Sequence, residues 1–246
     1  MGLQVFIQLQ NKFMKNIFLV LALLFLVQTA EAQLFSKERL ANLENFDKRR
    51  WTWGYFLGFN NYDFKFDYDR EFGDTDVVVE TSTGFNVGLI GDLRLNDYFN
   101  LRLEPGLYYT ERNLIYPDLV EERDFLREVK STYIHVPLLL KVSTKRLNNF
   151  KPFLVGGVST SINLTSDESN PEDNSAGRFR MTTNTYYYEL GFGIDFYLFY
   201  FKFTPSIRGV FALSDELVRD ENPNSPYTSD IDKMATRGIF INFTFQ

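Results

Sequence analysis

The chain has no cysteine, one histidine and two tryptophans among its 246 residues. The lack of cysteine excludes disulfides, thiolate nucleophiles and thiolate metal sites. The chain also has no excess of basic residues. Its formal net charge is −6, which argues against nucleic acid as a partner. Beyond Gln33 no uninterrupted apolar run approaches the roughly 20 residues that a transmembrane helix needs.

The first 32 residues have the pattern of a secretory signal peptide. A basic stretch with Lys12 and Lys15 precedes the apolar run Ile17–Val27, and Ala30–Ala32 forms a small-residue cleavage motif. The apolar run is short for a membrane anchor, so we predict cleavage after this motif. A second methionine directly before Lys15 makes residues 1–13 a candidate mis-called extension. An exported chain without a later spanning helix is either soluble or a β-barrel.

The stretch Tyr133–Lys141 shows the pattern that the rest of the chain repeats. Apolar and other residues alternate with a period of two, which predicts a strand with one apolar face. A proline inside the stretch cannot donate to a ladder, which argues against a central strand of a soluble sheet. The apolar face comprises Ile134, Val136, Leu138 and Leu140, and the opposite face His135, Pro137, Leu139 and Lys141.

Eight segments carry this alternation. At Asn60–Asn61 the parity of the apolar residues changes, which predicts a β-bulge in the first segment. The connections between segments alternate between long and short, as they do in outer-membrane barrels. We therefore predict an all-β fold: an antiparallel transmembrane β-barrel of about eight strands, with short inner turns and long outer loops. The predicted strands are 51–68, 83–95, 100–112, 133–142, 151–164, 183–196, 201–213 and 236–245.

Aromatic residues make up 17% of the chain, and several lie at predicted strand ends. This is typical of the aromatic girdles at membrane interfaces. The alternative is a soluble sandwich or lipocalin-like barrel with its apolar face inside, but the opposite face is unusually charged and glycine-rich for a wet surface. The residues at strand ends are Trp51, Trp53, Tyr109, Tyr133, Tyr197 and Tyr200.

If the apolar faces meet lipid, the opposite faces fill the lumen with charged side chains. A barrel of eight strands is just wide enough to be filled by side chains, so we predict paired charges rather than an open pore. The network is interpreted as structural; a transport or catalytic network is the alternative. Its predicted members are Asp92, Arg94, Arg102, Glu104, Lys141, Glu189, Asp195, Lys202 and Arg208. A hairpin centred between Leu198 and Phe199 predicts two cross-strand pairs. These are Asp195 with Lys202, and Glu189 with Arg208.

His135 is interpreted as a packed, hydrogen-bonded residue on the inward face. A general base or a pH switch is the alternative. The acidic loop Asp167–Asn174 lacks the spacing of a calcium loop, so a solvated loop is preferred to a divalent-cation site. We predict no catalytic residue, metal or cofactor, and no enzyme activity.

Residues 33–50 are predicted to form a periplasmic leader ahead of a barrel over residues 51–246. The apolar spacing from Leu40 to Phe46 suits a short amphipathic helix. A partly disordered leader is an equally compatible interpretation.

Several ordered tracts resemble a known family. Four tracts resemble the general outer-membrane barrel family of Bacteroidetes. They are Gly84–Leu89, Leu103–Tyr109, Tyr133–Lys141 and Lys151–Gly157. The chain is more closely similar to the PorT family of the type IX secretion system. The tracts of this closer resemblance are Phe35–Arg39, Glu189–Phe196 and Lys202–Gly209.

This resemblance implies a non-catalytic protein that spans the outer membrane and is needed for protein export by type IX secretion. In gliding bacteria it also implies export of surface adhesins, and hence gliding motility. The implied partners are outer-membrane lipid and other subunits of the secretion machinery. A structural, adhesive or lipid-acting small outer-membrane barrel is the alternative.

Overall fold

A computed structural model describes residues 41–68, 76–117, 119, 125–168, 179–222, 225 and 227–246. The predicted signal peptide and the first part of the predicted leader lie outside these residues. None of the described helical segments is long and apolar enough to cross a bilayer.

The described residues form ten strands and one short 3-10 helix, which spans Phe46–Lys48. Long strands dominate because β-branched and aromatic residues alternate with small and polar ones over most of the chain. The strands are β1 (Trp51–Tyr68), β2 (Val78–Thr81), β3 (Thr83–Arg94), β4 (Phe99–Leu103), β5 (Gly106–Ile115), β6 (Leu126–Ser143), β7 (Phe150–Asn163), β8 (Asn184–Tyr197), β9 (Lys202–Ala212) and β10 (Ile231–Phe245).

The strands close into an antiparallel ring. β1 pairs with β3 on one side and with β10 on the other, so the wall has no free edge along this length. β4 and β5 occupy one wall position between β3 and β6, interrupted at Glu104–Pro105. β2 only extends the ring beside β5, which leaves eight wall positions. The predicted barrel of about eight strands is therefore confirmed.

Large apolar side chains face outward along the wall. Trp53 on β1, Leu89 on β3, Leu154 on β7 and Leu190 on β8 are all more than 60% exposed. Water-soluble proteins rarely expose a continuous apolar band of this extent. The outward apolar stretch of β1 runs from Trp51 to Phe59, a length that suits a tilted membrane-spanning strand.

The predicted bulge at Asn60–Asn61 is wrong. β1 stays in continuous register with β10 from Tyr55 to Asp67, and its even-numbered residues face inward throughout. The change of pattern has another cause: beyond Phe59 the outward face carries polar residues and the inward face becomes aromatic. The strand therefore continues past the apolar band, where its outer face meets water and its inner face packs.

An apolar core fills the barrel end where the long connections lie, which we call the long-loop end. Strand extensions and connecting segments both contribute to it, so this end is closed by packed side chains. Its buried members are Phe64, Leu114, Tyr116, Val129, Phe179, Met181, Leu217, Tyr227, Ile231 and Met234.

The opposite, short-turn end carries exposed aromatic residues. The β8–β9 turn closes with a hydrogen bond from Leu198 N to Phe201 O of 3.0 Å, and Phe199 and Tyr200 at its tip are 80% and 92% exposed. The rings of Trp51 and Trp53 are stacked 6.2 Å apart at the start of β1. Aromatic side chains in this position are typical of a membrane interface.

The described part of the leader, residues 41–50, forms no α-helix, although the apolar spacing from Leu40 to Phe46 suits one. Residues 42–45 form a turn, and the 3-10 helix follows. Leu43 has a φ of 51°, in the left-handed region, which interrupts a right-handed helix. Phe46 is nevertheless buried, so the apolar periodicity identified a residue that packs.

Candidate functional site in the barrel lumen

Charged side chains from five wall positions meet in the lumen. Asp92 on β3 is the register partner of Arg102 on β4, and its Oδ2 lies 2.8 Å from Arg102 Nη2. Asn100 donates to the other carboxylate oxygen of Asp92 at 2.6 Å. Arg102 Nη1 also donates to Glu104 Oε1 at 3.3 Å. These residues are buried apart from Asn100, so each charge is compensated by an adjacent partner.

Glu104 links this group to a second one. Its Oε2 lies 2.7 Å from Arg208 Nη1, and Arg208 Nε lies 3.5 Å from Glu189 Oε2. Glu189 Oε1 is 2.8 Å from His135 Nε2, and His135 Nδ1 is 2.6 Å from Ser161 Oγ. Polar contacts therefore run without a break from β3 across the lumen to β7.

A second ion pair lies beside the first group. Lys141 Nζ donates to Asp195 Oδ2 at 2.5 Å, and Thr204 donates to Asp195 Oδ1 at 2.8 Å. Lys141 Nζ also lies 4.1 Å from the centre of the Phe153 ring, and the Arg102 guanidinium lies 5.4 Å from it. The ring thus contacts two like charges.

An aromatic layer covers this network towards the long-loop end. The His135 ring lies edge-on to Tyr108 at 4.9 Å and to Phe240 at 5.7 Å, so it joins the polar and aromatic layers. The buried residues of this layer are Phe56, Tyr62, Tyr108, Tyr133, Tyr187, Val210 and Phe240. The side chains of the three layers, ionic, aromatic and apolar, are buried, whereas a water-filled channel would leave side chains exposed.

Two sequence predictions about the network need correction. Arg94 does not join it: it is the register partner of Asn100, pairs with Asp97 in the β3–β4 turn, and is partly exposed. The predicted β8–β9 register is also wrong by two residues, since Arg208 lies opposite Gly191 and Lys202 opposite Tyr197. The turn lies between residues 197 and 202 without a glycine or asparagine that would have marked its centre.

Because the register error is an even number, the inward faces are unchanged. Glu189 still reaches Arg208, but diagonally, and the closer partner of Arg208 is Glu104. Asp195 binds Lys141 from β6 instead of Lys202. Lys202 is buried, and its ammonium lies 4.7 Å from the ring centre of Phe46 in the leader.

His135 lies in a contact set that the sequence did not reveal. Ser161, His135 and Glu189 are connected in the order of a nucleophile, a base and an orienting carboxylate. They lie on the adjacent strands β7, β6 and β8, so only the register brings them together. Ser161 is 1% exposed and His135 is fully buried, which leaves a substrate no access in this arrangement.

No group of three or more potential metal ligands occurs within the described residues. The acidic loop Asp167–Asn174 is described only at Asp167 and Glu168, and its other residues lie outside the described residues. The Glu168 carboxylate accepts a hydrogen bond from the backbone of Thr183 at 2.6 Å, so it holds the loop against β8.

Comparison with protein families decides the class of this barrel. Residues 31–218 match the family described as outer membrane protein beta-barrel domain. The chain belongs to this family. It is an outer-membrane β-barrel protein, and its lumen network lies within a lipid-embedded wall. In such barrels the short turns face the periplasm, so the short-turn end is the periplasmic end and the long-loop end is the outer one.

The chain also has weak similarity to several solved structures. OprG from Pseudomonas aeruginosa is 14% identical, with a TM-score of 0.43 over 78% of this chain and 94% of that one. Ail, the attachment invasion locus protein of Yersinia pestis, is 11% identical, with a TM-score of 0.37 over 78% and 96%. AlkL is 9% identical, with a TM-score of 0.42 over 86% and 92%. No curated protein matches the sequence significantly.

Proposed function

We propose that the protein is a non-catalytic, non-conducting outer-membrane component of protein export by type IX secretion. The packed lumen is the observation that carries the proposal. Arg102, Glu189 and Arg208 are at most 2% exposed, and each contacts charged neighbours. A barrel filled in this way would not pass a protein through itself, so it would act through the surfaces that it presents.

The assignment to type IX secretion rests on the resemblance of three tracts, Phe35–Arg39, Glu189–Phe196 and Lys202–Gly209. The second and third tracts lie within β8 and β9, and they supply Glu189, Asp195 and Arg208 to the lumen. On this proposal the leader and the rims of the barrel contact other subunits of the machinery. Cargo would include surface adhesins in gliding bacteria.

The deciding experiment is the extracellular proteome of a strain that lacks this gene, with and without complementation. We expect selective loss of type IX cargo, while proteins exported by other routes stay unchanged. Complementation should restore the cargo. An unchanged extracellular proteome would reject the secretion role and leave a structural, adhesive or lipid-acting barrel.

A lipid-acting enzyme is the second candidate, because Ser161, His135 and Glu189 are connected as a hydrolase triad would be. The burial of Ser161 opposes it. The test is Ser161→Ala, which removes a nucleophile but keeps the strand. On our proposal this variant supports normal cargo export in the complemented strain. A folded variant that fails to export cargo, together with wild-type hydrolysis of lipid in vitro, would favour the enzyme.

A further inference from the structure

The leader forms one wall of a cleft at the periplasmic mouth of the barrel. Asn42 N donates to Asn149 Oδ1 at 2.9 Å, and Asn42 Nδ2 donates to Tyr197 O at 3.0 Å. The Tyr197 hydroxyl donates to Asp47 Oδ1 at 2.6 Å. These contacts fix the leader against the β6–β7 turn and the end of β8.

The cleft that remains between the leader, the β3–β4 turn and the β6–β7 turn has a volume of about 130 Å³. Two of its cations already have carboxylate partners: Arg94 pairs with Asp97, and Arg146 lies 4.0 Å from Asp47. Two lysines are left over, which gives the cleft a net positive charge. The lining residues are Asp47, Arg94, Asp97, Lys145, Arg146 and Lys151.

Lys151 is the residue of the cleft whose buried charge indicates a ligand. It is 9% exposed, and among the described residues its ammonium donates one hydrogen bond, to the backbone carbonyl of Asp97 at 3.4 Å. Its register partner Asp195 is already paired with Lys141. Within the described part of the chain, no carboxylate lies within ion-pair distance of it. A buried ammonium without a counter-charge is costly, because the charge has lost its hydration.

A second buried ammonium lies behind the first. Lys151 and Lys202 both line a small cavity of about 20 Å³ that adjoins the cleft, room for about one water molecule. Lys202 is 4% exposed and lies against the Phe46 ring rather than against a carboxylate. Lys202 therefore adds a buried positive charge next to the cleft, although the carboxylates of Asp47 and Asp92 line the same cavity.

We propose that this cleft binds a phosphate-class oxyanion, with Lys151 and Lys145 as its principal ligands. Lysine ammonium groups bind phosphate as point charges, and the two paired guanidinium groups of Arg94 and Arg146 add further donors at the rim. The phosphate group can come from free phosphate in the periplasm or from a phospholipid headgroup of the periplasmic leaflet. The proposal does not depend on the role in secretion.

The first arm of the test measures binding of inorganic phosphate to the full-length barrel in a phosphate-free maltoside detergent. Calorimetry is performed against chloride at matched ionic strength. We expect Lys151→Gln and Lys145→Gln each to weaken binding about tenfold or more, the loss of one charged hydrogen bond. Lys145 is exposed at the turn, so its variant should fold even if Lys151→Gln does not.

The matched control is Lys130→Gln, an exposed lysine at the outer end that pairs with Glu128 at 2.9 Å. It should bind phosphate as the wild type does.

The second arm uses vesicles of a phosphate-free galactolipid, with or without phosphatidylglycerol, and measures the unfolding temperature on gels.

Binding of free phosphate that depends on Lys145 or Lys151 supports the site with a soluble ligand. A rise in unfolding temperature with phosphatidylglycerol that depends on the same lysines supports the site with a lipid ligand. The proposal is overturned if neither probe acts on the wild type, or if the lysine variants respond as strongly as the wild type and Lys130→Gln.

Discussion

At the residue scale, Glu104 is the link on which the lumen network depends most. It contacts Arg102 at 3.3 Å and Arg208 at 2.7 Å, so its removal takes one partner from each of two buried guanidinium groups. We expect Glu104→Ala to lower the free energy of unfolding by about 3–5 kcal/mol. Glu189→Ala should cost less, because Arg208 then keeps its closer partner.

Urea unfolding in lipid vesicles, followed by tryptophan fluorescence, measures both values. Glu128→Ala is the control, since Glu128 is an exposed partner of Lys130 and its loss should have little effect on stability. If Glu104→Ala is no more harmful than Glu128→Ala, the lumen ion pairs do not hold the barrel together.

Glu216 is a second residue with a measurable signature. It lies in the connection before β10, outside the apolar band, and its carboxylate accepts hydrogen bonds from Thr236 N at 2.8 Å and Thr236 Oγ1 at 3.0 Å. Burial raises the pKa of Glu216 to about 7, although the Thr236 bonds and the charge of Arg112 lower it and Asp215 raises it further. The folded protein therefore holds this proton more tightly than the unfolded chain.

The sign of the pH dependence follows directly. The stabilising contribution of Glu216 is complete below a pH of about 4.5, the ordinary value, and is lost as the pH rises through about 7. Relative to Glu216→Gln, the wild type should lose up to about 3 kcal/mol of unfolding free energy between pH 4.5 and 8. Parallel stability curves for the two proteins over this range would contradict the assignment.

At the element scale, β3 packs so closely against the β4–β5 junction and the Phe56 ring that it requires a glycine at position 88. A Cβ atom at Gly88 would lie 2.4 Å from Pro105 O and 2.6 Å from the Phe56 ring. We expect Gly88→Ala to cost about 1–3 kcal/mol, because either the β4–β5 junction or a buried ring must move. Gly209→Ala is the control, since its nearest neighbour is an edge of the Phe211 ring at 3.0 Å. Equal stability of the two variants would show that the junction yields easily.

The strands of the barrel were predictable from sequence, and the reasons for the errors are physical. Alternation identified the inward face of β6, including His135 and Lys141, because one side of the wall must face lipid. The bulge at Asn60–Asn61 was predicted wrongly because the environment of the strand changes there while its geometry does not.

Pairing between strands was less predictable than the strands themselves. The β8–β9 turn has no residue that fixes its centre, so the register was missed by two. Ser161, His135 and Glu189 lie on three strands, and no motif in the sequence links them. A serine and a glutamate at inward positions on the two strands that follow β6 were the only signal, and it becomes specific only once the registers are known.

At the scale of the whole molecule, the barrel is closed by pairing and filled by three layers of side chains. Breaking the ring would expose backbone groups to lipid, so unfolding should need heat even in detergent. We expect the unheated protein to migrate faster on gels than the boiled protein. In planar bilayers it should give no stable conductance steps, because residues such as Arg102, His135 and Phe240 fill the cross-section of the lumen. Reproducible ion conductance by the pure, heat-modifiable protein would show that the lumen opens, and would require a function that depends on a channel.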